Sequence, residues 1–570
     1  MIRDAQPLSF SPHGLTDAFD ESDSFPGACR QLTNLIFDSG NPDQVVARPG
    51  VGAALTNFAG FTTPGFISIQ AVIGTMVYGM VATGRTAGFD EPFAYNLVSS
   101  AFVTISGITG GNVPTSPPST GVWTPPMMTS IGKKIIITHP GFSGIGSNFF
   151  GVLDVTNPAA PAWSAANTSV NALPAVPTSV SNYNNRAYFS CANVLIFSDS
   201  LNPTVVTNAS QSLTIGDTTP ITAQNGLPMQ TTSSGITATL VVFKANQVWI
   251  VTGDTATSNL SLNFLSLNVG CPHPRSVVQT VIGTLFISQD APCVLSVNGV
   301  VSELRHPSHP ASDVRIPFQN STIPSRTVAA FVGNIYRVCV ITIINGITSS
   351  NDYWFDIRRM RWTGPHSFAY DCASQYNDTT ILSGVGSGAG LFNSPPNDLT
   401  TNTTYNDNGA ALLATLVTTS LHDGDAMEFK QTVESSIDVT SGGTSTPFTI
   451  TAQDDQGTVL GTASITTPAP SAVWGSFNWG DGTLYNAVSV NPRRYDVNWN
   501  QPLVWDRMYL TMTAPGSTDV SIGKFKAKYQ RCGYSLRVPV MPGVIPAANL
   551  PPAQAPARFD NARFDQSKFL

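Results

Sequence analysis

The sequence predicts an all-β protein: a β-propeller of six or seven blades, with an additional β-sandwich domain and extended termini. Three observations predict it. The chain is poor in charge, at 11% Asp, Glu, Lys and Arg, and rich in Gly (47) and Pro (42), a composition that favours strands and turns over long helices. One pattern is written twice, as NRAYFSCANVLIFSDS from Asn185 and TLVVFKANQVWIVTGD from Thr239. In each, two β-branched and aromatic runs flank Ala-Asn, a hairpin signal because Asn tolerates a left-handed backbone. Related strands recur along the chain. Taking Val77, Ile136, Phe189, Phe243, Phe286, Tyr336 and Ile381 as one reference residue per unit, the steps are 59, 53, 54, 43, 50 and 45 residues. Repeats of that length with several strands each are the signature of propeller blades, which bury their two faces against one another.

In chain order, residues 1–55 are expected to form an extended N-terminal segment and 56–410 the propeller. Several units open on an apolar residue and Gly before a strand, as in IGTMVYGM, IGKKIIIT, IGTLFISQ and VGNIYRVC. The pattern changes after about residue 410. PFTITAQDDQGTVLGTASI and RMYLTMTAPGSTDVSIGKFKAKYQR each read as strand, turn, strand, so 411–540 is expected to be the β-sandwich. Residues 541–570 are a Pro/Ala-rich tail. It ends in ARFDNARFDQSKFL, where Phe559, Phe564 and Phe569 stand five apart and are expected to dock on a partner or a neighbouring subunit.

The start has no apolar core of a signal peptide. The uncharged stretch between Arg48 and Arg85 is long enough to span a bilayer, but its Pro64, its glycines and the alternation Ile67, Ile69, Ala71, Ile73 fit paired strands, so no membrane span is expected. Seven widely spaced cysteines without a CxxC read as buried thiols. The formal charge of −7 gives no dominant basic field of the kind a sequence-reading DNA binder carries.

No catalytic, cofactor or metal motif emerges. Ser143 lacks the second glycine of a nucleophile elbow. Gly384, Gly386, Gly388 and Gly390 are followed by a strand and a breaker, not by the helix a phosphate loop needs. His306 and His309 lie in a proline-bound loop without a third ligand nearby. Carboxylate pairs fall in turn-like sequence. Basic residues cluster in three places. Lys524, Lys526 and Lys528 alternate with Phe525, Ala527 and Tyr529, which places the lysines on one strand face. Arg358, Arg359 and Arg361 sit in DIRRMRW, and Arg493 and Arg494 in NPRRYD. Each group could face a partner or DNA; an exposed polar strand face is the competing reading.

Several stretches resemble tail proteins of short-tailed bacteriophages: GLTDAFDESDSFPGACRQLTNLIFDSGNPDQVVARPGV, with Gly27-Ala28 and Arg48-Pro49-Gly50; LVVFKANQVWIVTGD through LSVNG; DYWFDIRRMRWTGPHSF; and IGKFKAKYQRCGY. That family is the tail nozzle, tubular tail protein B-like or packaged-DNA-stabilising tail hub, and the similarity runs from about residue 14 to 535. The resemblance implies a non-enzymatic virion structural protein, assembled in the host cytoplasm, that forms a homohexameric ring at the distal end of the tail. Such a ring would continue the DNA channel below the head–tail adaptor, retain the packaged genome and release it on ejection. Its implied partners are the adaptor, fibres or a needle, and double-stranded DNA passing without sequence recognition. No cofactor comes with the family. A mildly acidic Ser/Thr/Asn-rich wall suits a passage that must not grip phosphates. The alternative is a glycan-binding or glycan-cleaving receptor-recognition propeller, with Trp249, Trp354, Trp362 or Trp479 stacking on sugars.

Overall fold

In a computed structural model, residues 6–17, 27–58, 61, 67–82, 88–116, 126–232, 235–253, 260–304, 314–344, 347–384, 390–395, 405–422, 428–441, 447–466, 493–514 and 520–534 are described. Nearly all regular structure is β. One short helix, Ile316–Gln319, and a single 3-10 turn, Pro324–Arg326, are the helical elements among the described residues. No described helix is long and apolar enough to cross a membrane.

Six small antiparallel sheets stand in a ring and form a β-propeller. Their innermost strands are Ile67–Ile73, Met127–Ile131, Ser179–Tyr183, Ile221–Thr232, Val278–Thr280 and Tyr370–Tyr376. Between the last two lies a four-stranded meander, Val328–Val332, Ile335–Ile344, Ile347–Asp356 and Arg361–His366. It fills a blade position but is not a separate sheet, because Leu32 of the strand Ala28–Thr33 pairs with Gly364 at its outer edge. The propeller thus has six self-contained blades, the lower of the two counts that the repeat allowed, and the meander is shared with the sandwich.

The blades close-pack through alternation. On the second strand of each, odd and even residues face opposite neighbours. Tyr78 packs toward Ile135 and Ile137 of the next blade, whereas Val77 packs back on Ile381 and Leu391 of the last. Ile136 meets Phe189, Tyr188 meets Val242, Phe243 meets Phe286, Leu285 shares a core with Tyr336, and Cys339 with Tyr370 and Leu382. All seven reference residues lie on these second strands and are buried. The apolar-Gly openings are the turns leading into them. Gly132 (φ 57°) and Gly333 (φ 63°) occupy left-handed positions between paired Ile131 and Lys134, and Val332 and Ile335. Both Ala-Asn pairs are two-residue hairpin loops as expected, with one difference in the backbone of the first. In the first, Cys191 pairs with Val194, and Ala192 rather than Asn193 takes the left-handed conformation. In the second, Phe243 pairs with Val248 and the Lys244 N–H donates to the Gln247 carbonyl at 2.9 Å, closing the loop over Ala245-Asn246.

Ring closure comes from the N-terminal side. Leu55 N–H donates to the Leu391 carbonyl at 2.7 Å, and Leu391 N–H to that of Thr56 at 3.0 Å. This adds an outer segment to the three-stranded last blade. Just upstream, Arg48 (1% exposed) makes a two-pronged ion pair with Asp407 and donates from Nε to Asn34 Oδ1 at 3.0 Å.

Apart from two short pairs, Ser169–Val170 with Val205–Val206 and Asn406–Asp407 with Ala410–Ala411, the remaining strands form two sheets packed face to face. One has the order Leu35–Phe37, Val45–Ala47, Val520–Tyr534, Glu428–Ser441, Arg493–Asp496, with Gln6–Phe10 also on Val520–Tyr534. The other continues the shared blade through Ala28–Thr33, Ala414–Thr418, Tyr509–Ala514, Pro447–Gln453 and Val459–Thr466. Ile437, Ile522 and Phe525 from the first share one core with Leu416, Ile450 and Met512 from the second. The N-terminal strands are therefore woven into both sheets of the sandwich.

Candidate functional site

The strand Val520–Tyr534 positions the main basic group. Phe525, Ala527 and Tyr529 point into the sandwich core and are buried, so Lys524, Lys526 and Lys528 project from the outer face, as the alternation predicts. Glu428–Ser441 pairs on one side, bringing Ser436 opposite Lys526, and Gln6–Phe10 on the other, bringing Ser9 opposite the same lysine. Arg493–Asp496 extends the face by one strand, with Arg494 opposite Asp438. The three lysines and Arg494 thus line one groove of about 750 Å3, with Pro7, Leu8 and Val433 among its walls.

Their charges are unequally compensated. Lys528 Nζ lies 2.6 Å from Glu434 Oε1, and Arg494 Nε 3.0 Å from Asp438 Oδ1, a contact that raises the arginine pKa above its ordinary value. Lys524 and Lys526 have no ion-pair partner among the described residues. Arg493 belongs to the same strand by register, opposite Val439, but its side chain lies outside what is described.

The second basic group is largely built into the fold. Arg359 stacks over Phe37, 5.1 Å from the ring centroid, and donates to the Asp38 carbonyl. Arg361 lies along Gly14, where an added Cβ would stand 3.1 Å from its Cδ, and burial lowers its pKa to about 10. Arg358 alone of the three is exposed; with Arg359 it borders a small pocket of about 190 Å3 walled by Trp354.

The proposed sugar-stacking tryptophans separate. Trp354 and Trp362 are core residues, 1% and 4% exposed, and cannot offer a ring face to a ligand. Trp249 is partly buried, edge-on to Phe264 at 5.0 Å on the outer strands of the fourth blade. Trp479, His306, His309, Phe559, Phe564 and Phe569 lie outside the described residues. Six cysteines are buried and free, as the spacing predicts, and Cys532 is exposed. Burial raises the Cys271 thiol to about 12 and the Cys191 thiol to about 11, so neither is a nucleophile at neutral pH. No group of three potential metal ligands occurs among the described residues.

One constellation superficially resembles a hydrolytic triad. Ser116 Oγ donates to Asp90 Oδ1 at 2.5 Å, and His139 Nε2 lies 2.8 Å from Asp90 Oδ2. The order is wrong for acyl transfer, since the carboxylate stands between serine and histidine, and the Gly141 amide donates to His139 Nδ1 at 2.8 Å. The imidazole has no lone pair left to accept the serine proton. Sequence inspection missed the buried ionic groups. Arg337, sandwiched between Trp354 and Tyr370 at 4.7 and 4.9 Å, lies 2.5 Å from Asp352. Arg326 and Arg275 converge on Asp371, whose pKa is raised by burial against the pull of both arginines. For Arg337 the available signal was an arginine inside the apolar strand run IYRVCVITII; Arg275 and Arg326 lie outside strands and carried none.

No family model and no curated protein matches the chain. Solved structures do. BamB from Moraxella catarrhalis is 10% identical, with a TM-score of 0.32 over 69% of this chain and 97% of that one. A puromycin-hydrolysing peptidase of Mycobacterium tuberculosis is 9% identical, with a TM-score of 0.33 over 65% of this chain; the match spans 60% of the peptidase. A family 43 arabinoxylan arabinofuranohydrolase from Bacillus subtilis is 9% identical, with a TM-score of 0.23 over 83% of this chain and 99% of that one. The propeller itself is established by the sheet order and the inter-blade cores.

Proposed function

We propose that the chain is a non-catalytic structural subunit of a short-tailed phage tail, assembling into a nozzle or hub ring that continues the DNA channel, retains the genome and releases it. The supporting observation is where the stretches that resemble tail proteins fall. LVVFKANQVWIVTGD covers the second and third strands of the fourth blade. DYWFDIRRMRWTGPHSF covers the outer half of the shared blade, where propeller joins sandwich. IGKFKAKYQRCGY is the strand that carries the lysine face. The resemblance therefore runs through both parts and through their junction, as expected of one rigid building block. A closed ring of identical blocks uses one patch against a different patch on the neighbour. Negative-stain electron microscopy with sedimentation velocity on the purified chain tests the reading. Rings of uniform stoichiometry with a central hole support it; a monomer at all concentrations, or an open aggregate, overturns it.

A second reading, a glycan-binding or glycan-cleaving propeller, rests on Trp249 and Phe264, of which Phe264 is 41% exposed. Aromatic rings at a blade's outer strands can stack on sugars. Binding on a glycan array that Trp249→Ala abolishes, or release of reducing sugar from host envelope, supports that reading; neither result on a ring-forming protein removes it.

A further inference from the structure

We infer that the outer face of the strand Val520–Tyr534 is a contact for a phosphodiester backbone, made by Lys524 and Lys526 with the hydroxyls of Ser9 and Ser436. The inference deepens the structural reading above, since it names the surface on which nucleic acid would rest. Four observations carry it. Lys524 and Lys526 are held on one face of a single strand whose other face is locked by buried Phe525 and Ala527, which fixes their separation at roughly 7 Å, two residues of extended chain. Among the described residues they have no ion-pair partner, unlike Lys528 and Arg494, which Glu434 and Asp438 engage. Ser9 and Ser436 stand directly opposite Lys526 on the two neighbouring strands, so both project to the same face and can donate hydroxyl hydrogens to phosphate oxygens. The groove they line holds about 750 Å3 and contains no aromatic side chain.

The last point selects the partner. A protein-docking surface centres on buried aromatic or arginine anchors, and here the arginine is already paired and no aromatic side chain lines the walls. A phosphodiester needs only point charges and hydroxyls; both are present, with Ser9 exposed and Lys524, Lys526 and Ser436 half-buried along the groove. The contact is weak by construction. Glu434 and Asp496 border the same groove and oppose tight binding, so the face reads backbone charge without holding it.

The test uses the full chain and a short fluorescently labelled DNA duplex of arbitrary sequence, with affinity measured by anisotropy across a salt series. Each phosphate contact contributes roughly 0.9 to the slope of log affinity against log salt. The double variant Lys524→Gln with Lys526→Gln is expected to reduce that slope by about two contacts' worth, roughly 1.8. The charge-matched control, Lys133→Gln with Lys134→Gln where a turn enters the second strand of the second blade, is expected to leave it unchanged. Equal slopes for wild type and both variants, or equal losses in both variants, overturn the inference. So does a double variant that alters self-association while DNA binding stays as it was, because the face would then be a contact between copies. Rings with an unaltered slope would remove this contact and keep the ring; a lysine-dependent slope without rings would do the reverse.

Discussion

At the scale of single residues, several of the molecule's ionisable groups lie where water cannot reach. His273 shows the consequence. It is 2% exposed, its Nδ1 lies 3.0 Å from Thr327 Oγ1, and burial lowers its pKa to about 4. In the unfolded chain the same imidazole titrates near its ordinary value of 6.5. Between those two values the unfolded state binds the proton and the folded state does not, so stability falls as pH drops through that window. The difference corresponds to about 3 kcal/mol, full above pH 6.5 or so and lost by about pH 4. His273→Gln should therefore flatten the dependence of the urea midpoint on pH between about 6.5 and 4, relative to the wild-type chain. Parallel curves for the two proteins would show that His273 does not contribute. None of this was legible beforehand, because a histidine in CPHPR carries no mark of burial; its environment is made by Thr327 and Pro324, more than fifty residues on.

At the scale of the element, the sequence was most legible where one strand meets two environments. Alternation in KFKAKY announced an inner face at Phe525, Ala527 and Tyr529 and an outer face at the lysines, and burial follows it. The blade repeat was legible for the same reason: each second strand must present apolar side chains both ways, so Val77 through Ile381 stand out as runs without polar alternation. What alternation cannot carry is the identity of the partner strand. Ala28–Thr33 lies between Ala414–Thr418 and Arg361–His366, over 300 residues away, and nothing local in ACRQLT names either neighbour. The two faces of Val520–Tyr534 should respond oppositely to truncation. Phe525→Ala leaves a cavity in the shared core and should cost about 3–5 kcal/mol, whereas Lys526→Ala should stay within about 0.5 kcal/mol of wild type. Guanidinium unfolding of both variants measures the contrast; similar midpoints would mean that the strand is not registered as described.

At the scale of the whole molecule, propeller and sandwich are joined by backbone pairing as well as by chain connectivity. The shared blade donates its outer edge to the strand Ala28–Thr33, and the apolar cluster holding its Phe355 and Trp362 runs on into the sandwich through Leu416, Met512 and Phe525. Conversely, the segment that completes the last blade at Leu391 leads out of the sandwich, and Arg48 with Asp407 fastens it there. Each part thus closes an edge that the other would leave open, and open edges with exposed apolar surface lead to aggregation. The boundaries read from composition, at 56 and 410, pass through these joints because composition changes there while hydrogen bonding does not. A fragment of residues 56–410 should therefore unfold at a distinctly lower temperature than the full chain and self-associate, and the full chain should melt in one transition by both circular dichroism and tryptophan fluorescence, since cooperative units follow shared cores. Two separated transitions in the full chain, with the earlier or later one reproduced by the isolated fragment, would mean that the shared sheet does not couple the two parts.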